Sequence, residues 1–186
     1  MDILGIFSAF GLSASAGLNA YIPLLVVALL GRFTNLIKLQ QPWDGLTSWW
    51  IIGLLIVLSL IEFFADSTPA VNHINDIIQT FIRPTAGAIV FAASANVLTE
   101  ISPILSLACG LLVAGSIHAV KSTIIRPTVT ATTAGVGNLP ISMLEDATST
   151  IISVLSIMVP IVVLVLLIIL IAWMISRRRR RKSYQD

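Results

Sequence analysis

The sequence contains little charge and a single cysteine. Charged residues make up 11% of the 186 residues and hydrophobic residues 56%, whereas soluble domains carry roughly a quarter charged residues. A water-soluble protein of this length could not bury so much apolar surface in one core. Because Cys109 has no second cysteine to pair with, an intramolecular disulfide and a thiolate metal centre are excluded. These absences predict a protein whose outer surface is covered by lipid.

Motifs for catalysis and metal binding are also missing. The sequence has no H-E-x-x-H, no G-x-S-x-G and no Walker A pattern. Neither His73 nor His118 has a metal-ligand partner at motif spacing. We therefore expect no enzyme activity, no catalytic residue, no metal and no cofactor. Basic residues are concentrated at the carboxy terminus rather than spread over a folded face, so we also expect no binding to nucleic acid.

Five apolar segments account for most of the chain. Residues 3–30 and 151–175 are each long enough for a helix that crosses the hydrocarbon of a bilayer, which takes about 20 residues. The other three segments are residues 49–65, 77–98 and 104–120. The sequence therefore predicts an all-α, polytopic helical membrane bundle with about five membrane-crossing segments. Glycine and proline interrupt the first segment, so we expect broken or re-entrant helices.

The carboxy-terminal tail holds the main basic cluster, because residues 177–182 read Arg-Arg-Arg-Arg-Arg-Lys. Basic residues beside membrane helices stay on the cytoplasmic side. We expect residues 1–176 to form a single transmembrane domain and residues 177–186 to form a basic cytoplasmic tail. The tail also predicts contact with anionic lipid head groups, worth about 1 kcal/mol per basic residue. Five crossings place the amino terminus outside, unless the first segment is re-entrant.

Local signals predict several features of the helices. Thr68-Pro69 is typical of a helix start. In the dipeptide Arg83-Pro84, the proline disfavours helical geometry at the arginine and predicts a bend there. The pattern Ser-x-x-Glu at residues 142–145 is typical of a capping box. The last helix is therefore predicted from about residue 143 to residue 175, with a kink or tilt at Pro160.

Two short patterns each occur twice. Thr-x-Ile-Arg-Pro-Thr is found at residues 80–85 and 123–128, and Ala-Gly followed by Asn and Pro is found at residues 16–23 and 134–140. Membrane transporters are often built from internal repeats with interrupted helices at matching places. Chance matches in an apolar chain, or simple helix kinks, are the alternative. The residues predicted to break helices or to line a cavity are Gly17, Asn19, Pro23, Gly135 and Asn138.

Charged side chains near or inside the apolar segments are the most informative residues. A lone charge at the centre of a bilayer costs about 2.5–3.5 kcal/mol, so these groups are expected to face inward and to pair. We expect them to converge in one cluster that forms a substrate or ion pathway. The alternative is an ion-pair network that only fixes helix register. The predicted residues are Glu62, Asp66, Asp76, Arg83, His118, Lys121, Arg126, Glu145 and Asp146.

Several blocks of the sequence are similar to one bacterial family of integral membrane proteins. They are Gly17-Leu18-Asn19-Ala20-Tyr21-Ile22-Pro23, Glu62-Phe63-Phe64-Ala65-Asp66, Ile82-Arg83-Pro84, His118-Ala119-Val120-Lys121, Arg126-Pro127 and Glu145-Asp146. The chain resembles the family catalogued as domain of unknown function 4126 over nearly its whole length apart from the tail. The resemblance implies one domain in a bacterial membrane and implies no particular reaction.

We therefore expect a small multi-pass protein of the bacterial inner membrane, with its carboxy terminus in the cytoplasm. The expected function is transport or translocation of a small polar or charged solute, or of a lipid head group, through the buried charges. The alternative function is that of a non-transporting assembly or scaffold protein in the membrane. The lipid bilayer is the expected partner, and the length of the chain also allows a homo-oligomer.

Overall fold

The protein is an all-α membrane bundle. The computed structural model describes residues 2–95 and 102–159, and within these residues it contains helices and no strand. Four of the described helices are long and apolar enough to cross a membrane, which confirms the predicted fold class. The predictions for Pro160 and for the tail at residues 177–186 concern positions outside the described residues.

The first apolar segment is divided into two short helices. Helix α1 covers Asp2–Leu18 and helix α2 covers Tyr21–Phe33. The side chain of Asn19 caps the second helix, because its Oδ1 accepts the backbone N–H groups of Tyr21 and Ile22 at 3.0 Å each. A helix that crosses the bilayer needs about 20 residues, and each of these two helices is shorter than that. The predicted interruption of this segment is therefore a true helix break.

Helices α3 and α4 form a pair that is joined at Thr68. Helix α3 covers Trp49–Ser67, and helix α4 covers Pro69–Ser94 with proline at its first position, as predicted. Helix α4 continues through Arg83-Pro84, so the prediction that the arginine leaves helical geometry is wrong. The arginine side chain is held by ion pairs with α3, and these tertiary contacts outweigh the local effect of the proline.

The next long helix changes its hydrogen-bonding pattern in the middle. Helix α5 covers Pro103–Val120, a π-helical segment covers Lys121–Ile125, and helix α6 covers Arg126–Thr133. The three elements are continuous and together span 31 residues. Short π-helical segments inside α-helices are frequently found at functional sites. No sequence pattern that we identified predicts this segment.

Helix α7 covers Asn138–Val159 and follows a tight turn. Ala134 and Gly135 adopt positive φ angles of 51° and 87° in this turn. The helix begins earlier than predicted, so Ser142 lies inside it and donates to the carbonyl four residues before. The predicted capping box is therefore wrong, because the Glu145 carboxylate forms ion pairs with other helices instead of capping its own.

Small residues allow α1, α4 and α5 to pack closely. Gly87 of α4 and Gly110 of α5 face each other, and a Cβ atom on either would collide with the opposite helix. Gly17 lies within α1, where it packs against Ala114 and Ile117 of α5. Small residues at such interfaces let membrane helices approach each other. This packing brings the break after α1 close to the end of α5.

Candidate functional site

Six charged side chains from five helical elements meet in the interior of the bundle. Each of these residues is at most 9% exposed. The set contains three acids and three bases, so the formal charges cancel. The structure thus brings together charges that are up to 83 positions apart, as expected for ionised groups in hydrocarbon. We call this set the charge cluster: Glu62 and Asp66 of α3, Arg83 of α4, Lys121 of the π-helical segment, Arg126 of α6 and Glu145 of α7.

Asp66 is the centre of the charge cluster. Its Oδ2 atom lies 2.7 Å from Arg126 Nη2, 3.1 Å from Arg83 Nη2 and 3.1 Å from Lys121 Nζ. Its Oδ1 atom accepts a hydrogen bond from the Asn75 amide at 2.7 Å. Hydrogen bonds between charged partners are about twice as strong as those between neutral ones. This single carboxylate therefore joins three cations that come from three different helical elements.

Each of the two arginines also has a glutamate partner. Arg83 donates from Nη2 and Nε to Glu62 Oε1, at 2.8 Å and 3.1 Å. Arg126 donates from Nη2 to Glu145 Oε2. Lys121 lies 2.9 Å from the same oxygen of Glu145. The bases are thus shared among the acids in a connected network rather than in isolated pairs.

The two arginines occupy equivalent places in the repeated hexapeptides at residues 80–85 and 123–128. The first and the last threonine of each repeat donate to the carbonyl four residues earlier. Helices α4 and α5 are antiparallel, since late residues of α4 pack against early residues of α5, and the second repeat lies in the direct continuation of α5. The repeats therefore share these threonine hydrogen bonds and run in opposite directions, although the second begins in the π-helical segment, and both arginines reach Asp66.

The π-helical segment explains why two bases of one helix face the same cluster. Lys121 and Arg126 are five residues apart, and both are buried. In an α-helix, side chains five residues apart point about 140° away from each other. A π-helical turn hydrogen-bonds residues five apart and so brings them closer to one face. The local change in helix type therefore places both bases within reach of Asp66.

His118 extends the charge cluster toward α4. Arg83 Nη1 lies 3.2 Å from His118 Nδ1, and the hydroxyl of Thr80 lies 3.2 Å from His118 Nε2. Because arginine can only donate, Nδ1 accepts and carries no proton. The Thr80 hydroxyl donates its own hydrogen to the Asp76 carbonyl, so it accepts from Nε2. These partners assign the neutral Nε2–H tautomer to His118.

The break between α1 and α2 borders the charge cluster. Lys121 Nζ donates to the carbonyl of Leu18 at 2.9 Å, at the carboxy-terminal end of α1. Glu62 accepts the backbone N–H of Ala20 at 3.2 Å, at the start of α2. A cation at a helix carboxy terminus and an anion at a helix amino terminus both interact favourably with the helix dipole. Both helix ends in the break are thus matched by charges that oppose the helix dipole.

Two further predicted carboxylates lie at the border of the cluster. Asp146 accepts a hydrogen bond from the Asn19 amide at 2.9 Å, and Asp76 is half-buried with its Oδ1 atom unpartnered. Neither forms a salt bridge with any other described residue. Asn138 accepts from Thr130 at 3.2 Å at the start of α7. The remaining two predicted residues, which lie away from these contacts, are Pro23, buried in α2, and Gly135, in the turn before α7.

Sequence reasoning missed two polar residues at the cluster. They are Asn75, which binds Asp66, and Ser142, which accepts from Arg126 at 3.3 Å. Residues 75, 79 and 83 are spaced by four, so Asn75 lies on one face of α4 together with the arginine and with Gln79, which is 2% exposed. That spacing was the available signal for Asn75. Within the described parts of the chain, no group of three or more histidine, cysteine or carboxylate side chains is placed to hold a metal ion.

Comparison with known proteins identifies one match. The family model described as domain of unknown function (DUF4126) matches residues 6–180. The search of curated proteins and the search of solved structures each find no match. The matched range contains all the residues of the charge cluster and the break between α1 and α2.

Proposed function

The chain belongs to the DUF4126 family, and from that premise we propose that it translocates a small polar or charged solute, or a lipid head group, across the membrane through the charge cluster. The observation that carries this function is the break between α1 and α2. Discontinuous helices are typical of transporters, where their ends bind ions and the charged groups of substrates. In this chain Lys121 and Glu62 lie at the two ends of the break.

The inverted arginine repeats support the same function. Many transporters alternate between two states by moving one repeat against the other around a central site. Arg83 and Arg126 lie in the two repeats and share the carboxylate of Asp66. In our proposal the observed arrangement is the closed state. Movement of one repeat separates Asp66 from one arginine while the other arginine retains it.

Energetics also favour a functional role for these charges. A buried ion pair is a poor source of stability, because its desolvation offsets much of its attraction, and replacement by packed apolar residues is often neutral or stabilising. Six ionised groups buried inside a membrane protein of this size are therefore costly to maintain. Intramembrane charges commonly mark the paths of ions or substrates, which is consistent with translocation.

We also propose that the protein lies in the bacterial inner membrane with its tail in the cytoplasm and in contact with anionic lipids. Arg32 lies in the last turn of α2, and Lys38 lies in the connection between α2 and α3. Within the described residues four long apolar helices follow this connection, and an even number of crossings places it on the same side as the basic tail. The positive-inside rule then assigns that side to the cytoplasm.

The second candidate function is that of a non-transporting assembly protein. The saturation of Asp66 by three cations and one amide favours it, because a carboxylate bound by several helices can simply fix their positions. This alternative predicts that the charge cluster is needed for folding and that no solute or lipid crosses the membrane.

The two functions can be separated in proteoliposomes that contain the purified full chain. One arm uses a phospholipid with a fluorescent head group and an external quencher to detect lipid translocation. The other arm records currents on a solid-supported membrane after addition of amino acids, organic phosphates or quaternary ammonium ions. Transport by the wild type in one arm, lost in D66N and R83Q that insert normally, supports translocation through the cluster.

The matched control for D66N is D44N, because Asp44 is exposed in a short 3-10 helix outside the bundle. This variant makes the same chemical change and should keep wild-type transport. Wild-type rates in a well-inserted D66N would contradict translocation through the cluster. Failure of both cluster variants to insert or accumulate, with a wild type that is silent in both arms, would favour the assembly function.

A further inference from the structure

Two adjacent carboxylates lie at the carboxy-terminal end of α1. Glu145 Oε2 is 2.9 Å from Lys121 Nζ, which itself donates to the Leu18 carbonyl. Asp146 Oδ1 accepts from the amide of Asn19, the residue that follows α1. Both carboxylates of α7 therefore border the same helix end, together with one backbone carbonyl oxygen.

Unpaired polar atoms remain beside this helix end. Glu145 Oε1 is buried and has no hydrogen-bond partner, and neither has Arg126 Nε, on the guanidinium that binds the other oxygen of Glu145. The contact between Asp146 and Asn19 is to a neutral amide, and no salt bridge in the described structure reaches Asp146. Buried acceptors are nearly always paired with a donor, because an unpaired one forfeits its interaction with water. The chemistry that would complete this site is a proton or a cation.

The balance of charge leads to the same conclusion. The formal charges of the six members of the charge cluster cancel, and the hydrogen bonds of His118 with Arg83 and Thr80 assign it the neutral form. Asp146 and Asp76, both half-buried at the border of the cluster, then add two carboxylates that form no salt bridge with any described residue. The charges that act on Asp146 are Lys121 of the π-helical segment, Asp66 of α3 and its neighbour Glu145. Lys121 is already shared between Asp66 and Glu145.

We propose that one small monovalent cation, either a proton or an alkali ion such as Na⁺, binds between Glu145 and Asp146 at the carboxy-terminal end of α1. The partial negative charge of a helix carboxy terminus favours a cation there, and the broken helices of transporters supply carbonyl oxygens to coupling ions in the same way. The inference rests on the proposed function, in which this cation drives translocation.

Binding can be tested without any transport substrate. The full chain is purified in detergent, and its Tm is measured while Na⁺ replaces N-methyl-D-glucamine at constant ionic strength. At a Na⁺ concentration 100 times the dissociation constant, we expect Tm to rise by roughly 5–10 °C. The D146N variant should lose this response, while D44N should retain it. D146E keeps the carboxylate and should respond with a changed preference between Na⁺ and K⁺.

The proton arm uses the same measurement without Na⁺, from about pH 8 to about pH 6. If the native state takes up a proton at this site, Tm rises as the pH falls, because the native state then binds more protons than the unfolded state. D146N should flatten this rise relative to D44N. The two arms therefore distinguish an alkali ion from a proton.

The outcomes separate this inference from the proposed function. If the wild type responds to neither Na⁺ nor pH, or if D146N responds like D44N in both arms, no cation binds at Asp146. If D146N does not accumulate, the Tm responses of the wild type and D146E to Na⁺ and pH show whether a cation binds. Solute or lipid flux that depends on neither Na⁺ nor pH would support translocation and contradict its coupling to a cation at this site. A Tm response to the cation without any flux would support the cation site and contradict translocation.

Discussion

Replacement of Asp66 by asparagine is the most direct test of the charge cluster. The substitution keeps the size of the side chain and removes one charge at the point where three cations meet. The variant then holds Arg83, Lys121 and Arg126 against the two remaining carboxylates of the cluster. An asparagine amide keeps only one acceptor oxygen and carries no charge, so its contacts with these bases lose their ionic attraction.

The magnitude follows from the burial of the partners. Removal of one partner from a buried ion pair costs about 3–5 kcal/mol. For chains of 150–250 residues, each kcal/mol changes Tm by about 2–4 °C. We therefore expect the Tm of D66N to lie roughly 6–20 °C below that of the wild type. The exposed control D44N should stay within about 0.5 kcal/mol of the wild type, which is the usual range for surface substitutions.

A double variant tests the charge balance itself. Replacement of Lys121 by methionine in the D66N background removes one cation and again equalises acids and bases. We expect D66N/K121M to be more stable than the sum of the two single variants by about 0.5–3 kcal/mol. The measurement is thermal unfolding of the purified protein in one detergent. Additive effects, or a Tm of D66N within about 2 °C of the wild type, would refute the central position of Asp66.

Other predictions concern the packing and the helix break. Alanine at Gly110 should lower Tm because its Cβ would collide with Gly87 and Phe91. Alanine at Gly53, whose Cβ would meet no atom within 4 Å, should not lower Tm, because alanine favours a helix more than glycine does. A loss of Tm that is equal in the two variants would contradict the close contact between α4 and α5. Replacement of Asn19 by alanine should lower the free energy of unfolding by about 0.5–2 kcal/mol, because it removes the cap of α2. Replacement by serine should restore part of this loss in the same unfolding assay. Equal stability of the alanine and serine variants would argue against the cap. Replacement of Arg126 by lysine should reduce both stability and any transport in the proteoliposome assay, because a single ammonium does not reproduce the planar fork in which two guanidinium nitrogens contact the Asp66 carbonyl and carboxylate. A fully active variant would show that charge alone suffices.

Several features of the fold could not be read from local patterns. The last helix begins at residue 138 rather than at the predicted capping box, because Glu145 binds Lys121 and Arg126. Helix α4 continues through Arg83-Pro84, because the arginine is fixed by two carboxylates of α3. In each case a charged side chain forms ion pairs with other helices, which no local pattern specifies.

The sequence by itself determined that this chain is a helical membrane protein, where its first helix breaks, and that its charges turn inward. These properties follow from the cost of exposing charge and backbone to hydrocarbon, a cost that each segment bears separately. Only the tertiary structure decided which charges pair, and that a single carboxylate joins both arginine repeats. Pairing depends on helix phase and on contacts between residues distant in the chain, as the π-helical segment shows, and neither is encoded within one segment.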